Sequence, residues 1–149
     1  MPSPELPLVL IVDDEPALVE LGKRALESAG YRVIVAHSGA EALTASGGER
    51  VLLLLTDLNM PGMSGRELAT ELRKAHGGLK ILYLTAHADE LFGLLNVLDA
   101  DEAFLEKPVT AATLRDAVAM QLFGTHARPQ PHAVISSSAY AVVTSPSVQ

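Results

Sequence analysis

The sequence predicts an α/β protein built on a doubly wound parallel sheet, and three observations carry that expectation. Short apolar runs alternate five times with segments of helical period, and parallel neighbours need such crossovers. One run, Val51-Leu52-Leu53-Leu54-Leu55, is apolar throughout, as suits a strand covered by helices on both faces. Polar residues follow the runs, and in open α/β sheets ligands bind outside the carboxyl ends of the strands.

The first run, Leu8-Val9-Leu10-Ile11-Val12, stops at Asp13-Asp14-Glu15. Pro16 suits the first position of a helix, where its missing N–H costs nothing. Leu18, Leu21 and Ala25 give that helix an apolar face, with Gly30 as its cap. Val33 to Ala36 is the second strand, and Ser38-Gly39-Ala40-Glu41 is a capping-box pattern opening a short helix that stops near Gly47-Gly48. The third strand, Val51 to Leu55, runs into Thr56-Asp57. After a Pro-Gly loop, Ser64-Gly65-Arg66-Glu67 forms a second capping box, with Leu68, Leu72 and Ala75 on the buried helical face and Gly77-Gly78 as the stop. Ile81 to Thr85 is the fourth strand, and Leu91, Leu94, Leu95 and Leu98 trace the fourth helix. Ala103 to Glu106 is the fifth strand; Thr110 caps a last helix carrying Leu114, Ala117, Val118 and Leu122.

The chain of 149 residues is read as residues 1–5, an N-terminal extension, then one domain over 6–123, then a Pro- and Ser-rich tail over 124–149. Within that tail, Ala139-Tyr140-Ala141-Val142-Val143 is apolar enough to dock, on the domain or on a second copy. Cysteine is absent, which excludes disulfides, thiolate catalysis and zinc-thiolate sites. No apolar run approaches the roughly 20 residues of a membrane span, and the N-terminus lacks a signal-peptide pattern; a cytoplasmic protein is expected. With a net charge of −7 and only dispersed pairs such as Lys23-Arg24 and Arg73-Lys74, direct nucleic-acid binding is not expected.

The doubly wound fold gathers Asp13, Asp14, Asp57, Thr85 and Lys107 at one edge. Three carboxylates in one crevice repel one another, and a multivalent cation resolves the conflict. Oxygen ligands alone favour a hard ion such as Mg²⁺, with Asp14 and Asp57 as direct ligands and Asp13 either through water or as a supporting partner behind them. Asp57 is the candidate nucleophile, since a carboxylate can accept a phosphoryl group as an acyl phosphate. Lys107 would neutralise the transferring group and Thr85 donate a hydrogen bond to it. Singly each residue has an ordinary reading: a helix N-terminus for the acids, a turn for Asp57, a surface lysine, a strand-end threonine. Their joint arrangement is what points to chemistry.

Val12-Asp13-Asp14-Glu15-Pro16, Asp57-Leu58-Asn59-Met60-Pro61-Gly62-Met63-Ser64-Gly65, Leu84-Thr85-Ala86 and Glu106-Lys107-Pro108 resemble the response-regulator receiver family over roughly residues 6 to 123, with a chemotaxis-regulator-like outline. The resemblance implies a flavodoxin-like sheet of order 2-1-3-4-5, Asp57 as phosphoacceptor, and Asp13 and Asp14 as the acidic pair. It implies Mg²⁺ held also by the Asn59 backbone carbonyl, phosphoryl contacts from Thr85 and Lys107, and a cis bond before Pro108. It further implies a switch in which Thr85 and Phe104 move together. The segment Leu98-Asp99-Ala100-Asp101-Glu102 departs from the family pattern, which often has glycine shortly before the fifth strand, and His87 sits at the mouth of the site.

The function expected is phosphoacceptance from a histidine kinase or histidine phosphotransfer protein, with slow autodephosphorylation at most rather than enzymatic turnover. Output would run through a partner protein or a homodimer. The initial Met and the ending at Gln149 favour a stand-alone chain over the C-terminal receiver of a hybrid histidine kinase. One alternative is a Mg²⁺-dependent phosphohydrolase with Asp57 as nucleophile, which would want a second Asp where Asn59 stands. The other is a pseudo-receiver that binds partners without phosphorylation, against which Asp14, Asp57, Thr85 and Lys107 all argue.

Overall fold

A computed structural model describes residues 6–86, 101–124 and 140–141. In chain order the elements are β1 (Leu8–Val12), α1 (Pro16–Ser28), β2 (Arg32–Ala36), α2 (Gly39–Ala45), β3 (Leu53–Asp57), α3 (Gly65–Ala75), β4 (Lys80–Thr85), β5 (Glu102–Glu106), α4 (Ala111–Phe123) and β6 (Tyr140–Ala141). The helix expected around Leu91, Leu94, Leu95 and Leu98 lies outside the described residues, so α4 here is the helix that follows β5.

The sheet order is β2-β1-β3-β4-β5-β6. The first five strands are parallel and give the expected order 2-1-3-4-5. Strand residues alternate between two apolar layers. Val9, Ile11, Leu53, Leu55, Leu82, Leu84 and Leu105 pack with Leu18, Leu26, Leu114 and Val118, so α1 and α4 cover one face. Leu8, Leu10, Val12, Leu54, Ile81, Tyr83 and Phe104 pack with Ala42, Leu68 and Leu72 beneath α2 and α3. Leu and Val do the filling that aromatic residues often do.

Helix starts follow local chemistry. Pro16 opens α1. The Ser38 hydroxyl accepts from the Glu41 N–H, while the Glu41 carboxylate reaches back one residue further, to the His37 N–H. Ser64 and Glu67 close a full capping box at 3.1 and 2.9 Å. At α4 the box is built from Thr110 and Thr113.

β3 is displaced two residues from the apolar run. The Val51 N–H leaves the ladder to donate to His76 Nδ1 at 3.1 Å. At the other end Thr56 pairs with Val12 and Asp57 with Leu84, so flanking strands carry the ladder past the last apolar residue. β5 gains Glu102, which is buried: its carboxylate accepts from the Tyr83 hydroxyl at 3.1 Å and lies 3.2 Å from Arg73 of α3.

The amino ends of β4 and β5 are fastened together. The Gln121 side-chain amide of α4 donates to the carbonyls of Ile81 (3.1 Å) and Asp101 (2.7 Å), and Lys80 pairs with Asp101 at 2.8 Å. The carboxyl ends carry the site.

Candidate functional site

Two strands deliver the three acids. β1 ends into Asp13 and Asp14, and β3 ends in Asp57. Oxygens of all three carboxylates lie within 4.8 Å of one another. Asp13 is fully buried, Asp57 is 8% exposed, and Asp14 faces solvent. The crevice is thus open on the Asp14 side and closed behind Asp13, and a small anionic group can reach Asp57.

Each carboxylate is held by backbone. Asp13 Oδ1 accepts the Glu15 N–H at 2.8 Å, and Asp57 Oδ1 accepts the Asn59 N–H at 3.2 Å. Loop closure beyond Asp57 depends on Gly65, whose N–H donates to the Leu58 carbonyl at 2.9 Å. A Cβ on Gly65 would collide with the Asp57 carbonyl oxygen. Only glycine lets α3 begin directly under Asp57.

Lys107 enters from the end of β5, where its N–H donates to the Thr85 carbonyl at 2.8 Å. Its ammonium is 3.1 Å from Asp13 Oδ2, 3.5 Å from Asp57 Oδ2 and 3.6 Å from Glu15 Oε1. The next peptide bond, Lys107–Pro108, is cis. Thr85 is buried at the end of β4, paired in register with Glu106, and Phe104 is buried on β5 opposite Tyr83.

Burial pushes the Asp13 and Asp57 carboxyls above the usual carboxylate range, although Lys107 and the Glu15 and Asn59 N–H groups pull the other way. Burial also works against the Lys107 ammonium, but Asp13, Asp57 and Glu15 outweigh it and hold its pKa above the ordinary lysine value. One cation therefore serves three carboxylates, and the site retains negative charge.

The residues present fit a divalent cation. Asp13 Oδ2 is buried with no hydrogen bond, its neighbour Lys107 being an ion-pair contact outside hydrogen-bonding geometry. An all-oxygen donor set suits a hard ion.

Asp13, Asp14, Asp57, Asn59, Thr85 and Lys107 come together at one edge, with Phe104 one turn of the pleat behind; His87 lies outside the described residues. Two contributors were not read as functional from the sequence. Glu15 appeared only as a helix-start acid, yet it reaches Lys107. Gly65 appeared only inside a capping box; its signal is a glycine at the first helical position, where many residues would serve.

Residues 9–119 match the family described as "Response regulator receiver domain". The sensor kinase CckA of Brucella abortus is 41% identical over 113 residues, which cover 74% of this chain and 12% of that protein. The chain is far shorter than such relatives, spanning 25% of two transcriptional regulatory proteins that it also matches. Among solved structures, the chemotaxis response regulator CheY4 of Vibrio cholerae is 30% identical with a TM-score of 0.70, covering 78% of this chain and 99% of that one. The response regulator TrrA of Thermotoga maritima, solved in complex with Mg²⁺ and BeF, is 34% identical with a TM-score of 0.65, covering 78% of this chain and 100% of that one. Strand order, the gathered acids with their lysine, and these matches lead to one conclusion: the chain belongs to the response regulator receiver family of two-component systems.

Proposed function

We propose that the chain accepts a phosphoryl group on Asp57 from a phosphohistidine of a histidine kinase or histidine phosphotransfer protein, with Mg²⁺ bound at the acidic cluster. The observation that carries this is Asp57 itself: a half-closed carboxylate ending a central strand, 3.5 Å from Lys107 and beside two further acids.

An Asp57 carboxylate oxygen attacks phosphorus, the P–N bond to the donor imidazole breaks, and its electron pair stays on the nitrogen. The product is an acyl phosphate on Asp57. Asp13, Asp14 and Asp57, with the Asn59 carbonyl, would hold Mg²⁺, which when bound neutralises charge on the transferring group. Asn59 N–H holds one Asp57 oxygen, which orients the other toward the donor. Lys107 turns from Asp13 toward the phosphoryl oxygens, and the Thr85 hydroxyl donates to them. Phe104 follows Thr85, and the two form the switch read by a downstream protein or a second copy.

A groove of about 470 Å³ lined by Leu18, Leu21, Pro108 and Val109 opens beside Lys107 and Glu15. Its apolar lining would seat an apolar face of the donor beside Lys107. The chain is read as a cytoplasmic acceptor without turnover of its own beyond slow loss of the phosphoryl group. Among the described residues no helix is long and apolar enough to cross a membrane.

The test is intact-mass measurement after incubation with a small phosphodonor and Mg²⁺. One phosphoryl adduct is expected on the wild type and none on Asp57→Asn. An unmodified wild type, or an undiminished adduct on the variant, overturns the proposal.

A further inference from the structure

β5 is flanked by β4 on one side, and its other edge would present unpaired backbone groups, a template for any extended chain. In the structure that edge is taken by β6, antiparallel, with Phe104 opposite Ala141 and Leu105 opposite Tyr140. The Lys107 N–H donates toward β4, to Thr85. Backbone directions alternate along a strand, so the Leu105 N–H also faces β4 and the Phe104 N–H faces β6. Phe104 and Ala141 are therefore the pair that exchanges both backbone hydrogen bonds.

Two further observations favour this pairing. Ala139-Tyr140-Ala141-Val142-Val143 combines an aromatic with β-branched residues and is not interrupted by Ser or Pro, and such residues favour strands. Residues 125–149 contain no Asp or Glu and a single formal charge, Arg128. Taking that arginine from the chain's −7 leaves −8 on residues 1–124, so the tail is drawn to the domain rather than repelled.

We propose that residues 140–141 are a strand-form clasp: the outer edge of β5 is a strand-accepting site, and its occupant is this chain's own C-terminal segment. Lys107 lies three positions beyond the clasped Phe104. When Lys107 swings from Asp13 to a phosphoryl group on Asp57, the carboxyl end of β5 is drawn inward and the clasp opens, leaving the edge to an extended segment of a partner. That second step rests on the proposed phosphorylation of Asp57; the clasp itself does not.

The experiment is amide hydrogen exchange of full-length chain, read at Phe104 by NMR. Protection at Phe104 is expected in the wild type and in Ala141→Val, and at least a tenfold loss of it in Ala141→Pro, with Val9 and Leu54 in the sheet centre unchanged. Equal protection in Ala141→Pro overturns the clasp. Protection that rises with protein concentration identifies a second copy's tail as the occupant and overturns the intramolecular assignment. Adding phosphodonor and Mg²⁺ should lower Phe104 protection in the wild type. Intact mass of the same sample separates the two ideas: an adduct with protection unchanged overturns the release step, whereas no adduct overturns the function proposed for Asp57.

Discussion

The Lys107 ammonium sits closer to Asp13, at 3.1 Å, than to Asp57, at 3.5 Å. In this geometry the lysine leans on the fully buried acid more than on Asp57. The two carboxylates are consequently unequal partners, and their removal has unequal effects.

Asp57→Asn removes a carboxylate that burial already disfavours as a charge and leaves Lys107 its nearer partner, so the metal-free variant should melt higher than the wild type. The sign follows from the raised pKa values of Asp13 and Asp57: their contribution to stability is present below about pH 3.8, the ordinary carboxylate value, and is lost as pH rises through their folded-state values. Lys107→Ala works the other way and strands three acids, at a cost of about 3 kcal/mol. Mg²⁺ should raise the melting temperature of Lys107→Ala more than that of the wild type, and that of Asp57→Asn least. Thermal melts with and without Mg²⁺ check the ranking.

Gly65→Ala should be more damaging than an alanine elsewhere in α3. Its Cβ meets the Asp57 carbonyl oxygen and Leu58 Cα, so the loop under Asp57 must move. A loss of about 1 to 3 kcal/mol is expected, with slower adduct formation even where the fold survives. Arg66→Ala, one residue on, supplies the control.

His76 is buried and accepts the Val51 N–H. Burial, and then Arg50, hold its pKa below the ordinary histidine value. A depressed pKa means that the folded state favours the neutral ring. Its contribution is present above about pH 6.5 and is lost as pH falls through the folded value. Denaturant titrations across that range should show falling stability, flattened in His76→Leu, which itself costs about 1 to 3 kcal/mol through the orphaned N–H.

The buried pair Tyr83 and Glu102 spans two strands, and burial followed by Glu102 pushes the Tyr83 hydroxyl well above the ordinary tyrosine range. The phenol therefore stays protonated and donates. Tyr83→Phe leaves the carboxylate short of a donor and should cost about 1 to 3 kcal/mol. A double-mutant cycle with Glu102→Gln should show non-additivity; strict additivity would mean that the hydroxyl contributes nothing to the carboxylate.

The strand-end rule of α/β sheets made the site legible before any coordinates, because Asp13, Asp57, Thr85 and Lys107 each follow an apolar run. Boundaries were less legible. Val51 reads as strand by hydropathy, yet a histidine in the next crossover takes its N–H. Thr56 and Asp57 lie past the apolar run, yet their backbones still complete ladders with the flanking strands. Hydropathy reports side chains, and the ladder is a backbone matter. Glu102 was noted only as acidic; nothing local says that a tyrosine on the neighbouring strand and an arginine on α3 will meet it. Which edge the tail would choose was equally silent, since strand pairing depends on what the rest of the sheet leaves open.

Gln121 binds the carbonyls of Ile81 and Asp101 at the end of the sheet away from the acids. Such a staple makes β4 and β5 a pair of reeds clamped at the base. A push at Thr85 or Lys107 cannot slide them; it can only splay them, and the displacement grows along about 17 Å of strand. The far tips, joined by the Lys107 N–H to the Thr85 carbonyl, carry the acid-and-lysine cluster, and the clamp turns a small local change there into an angle.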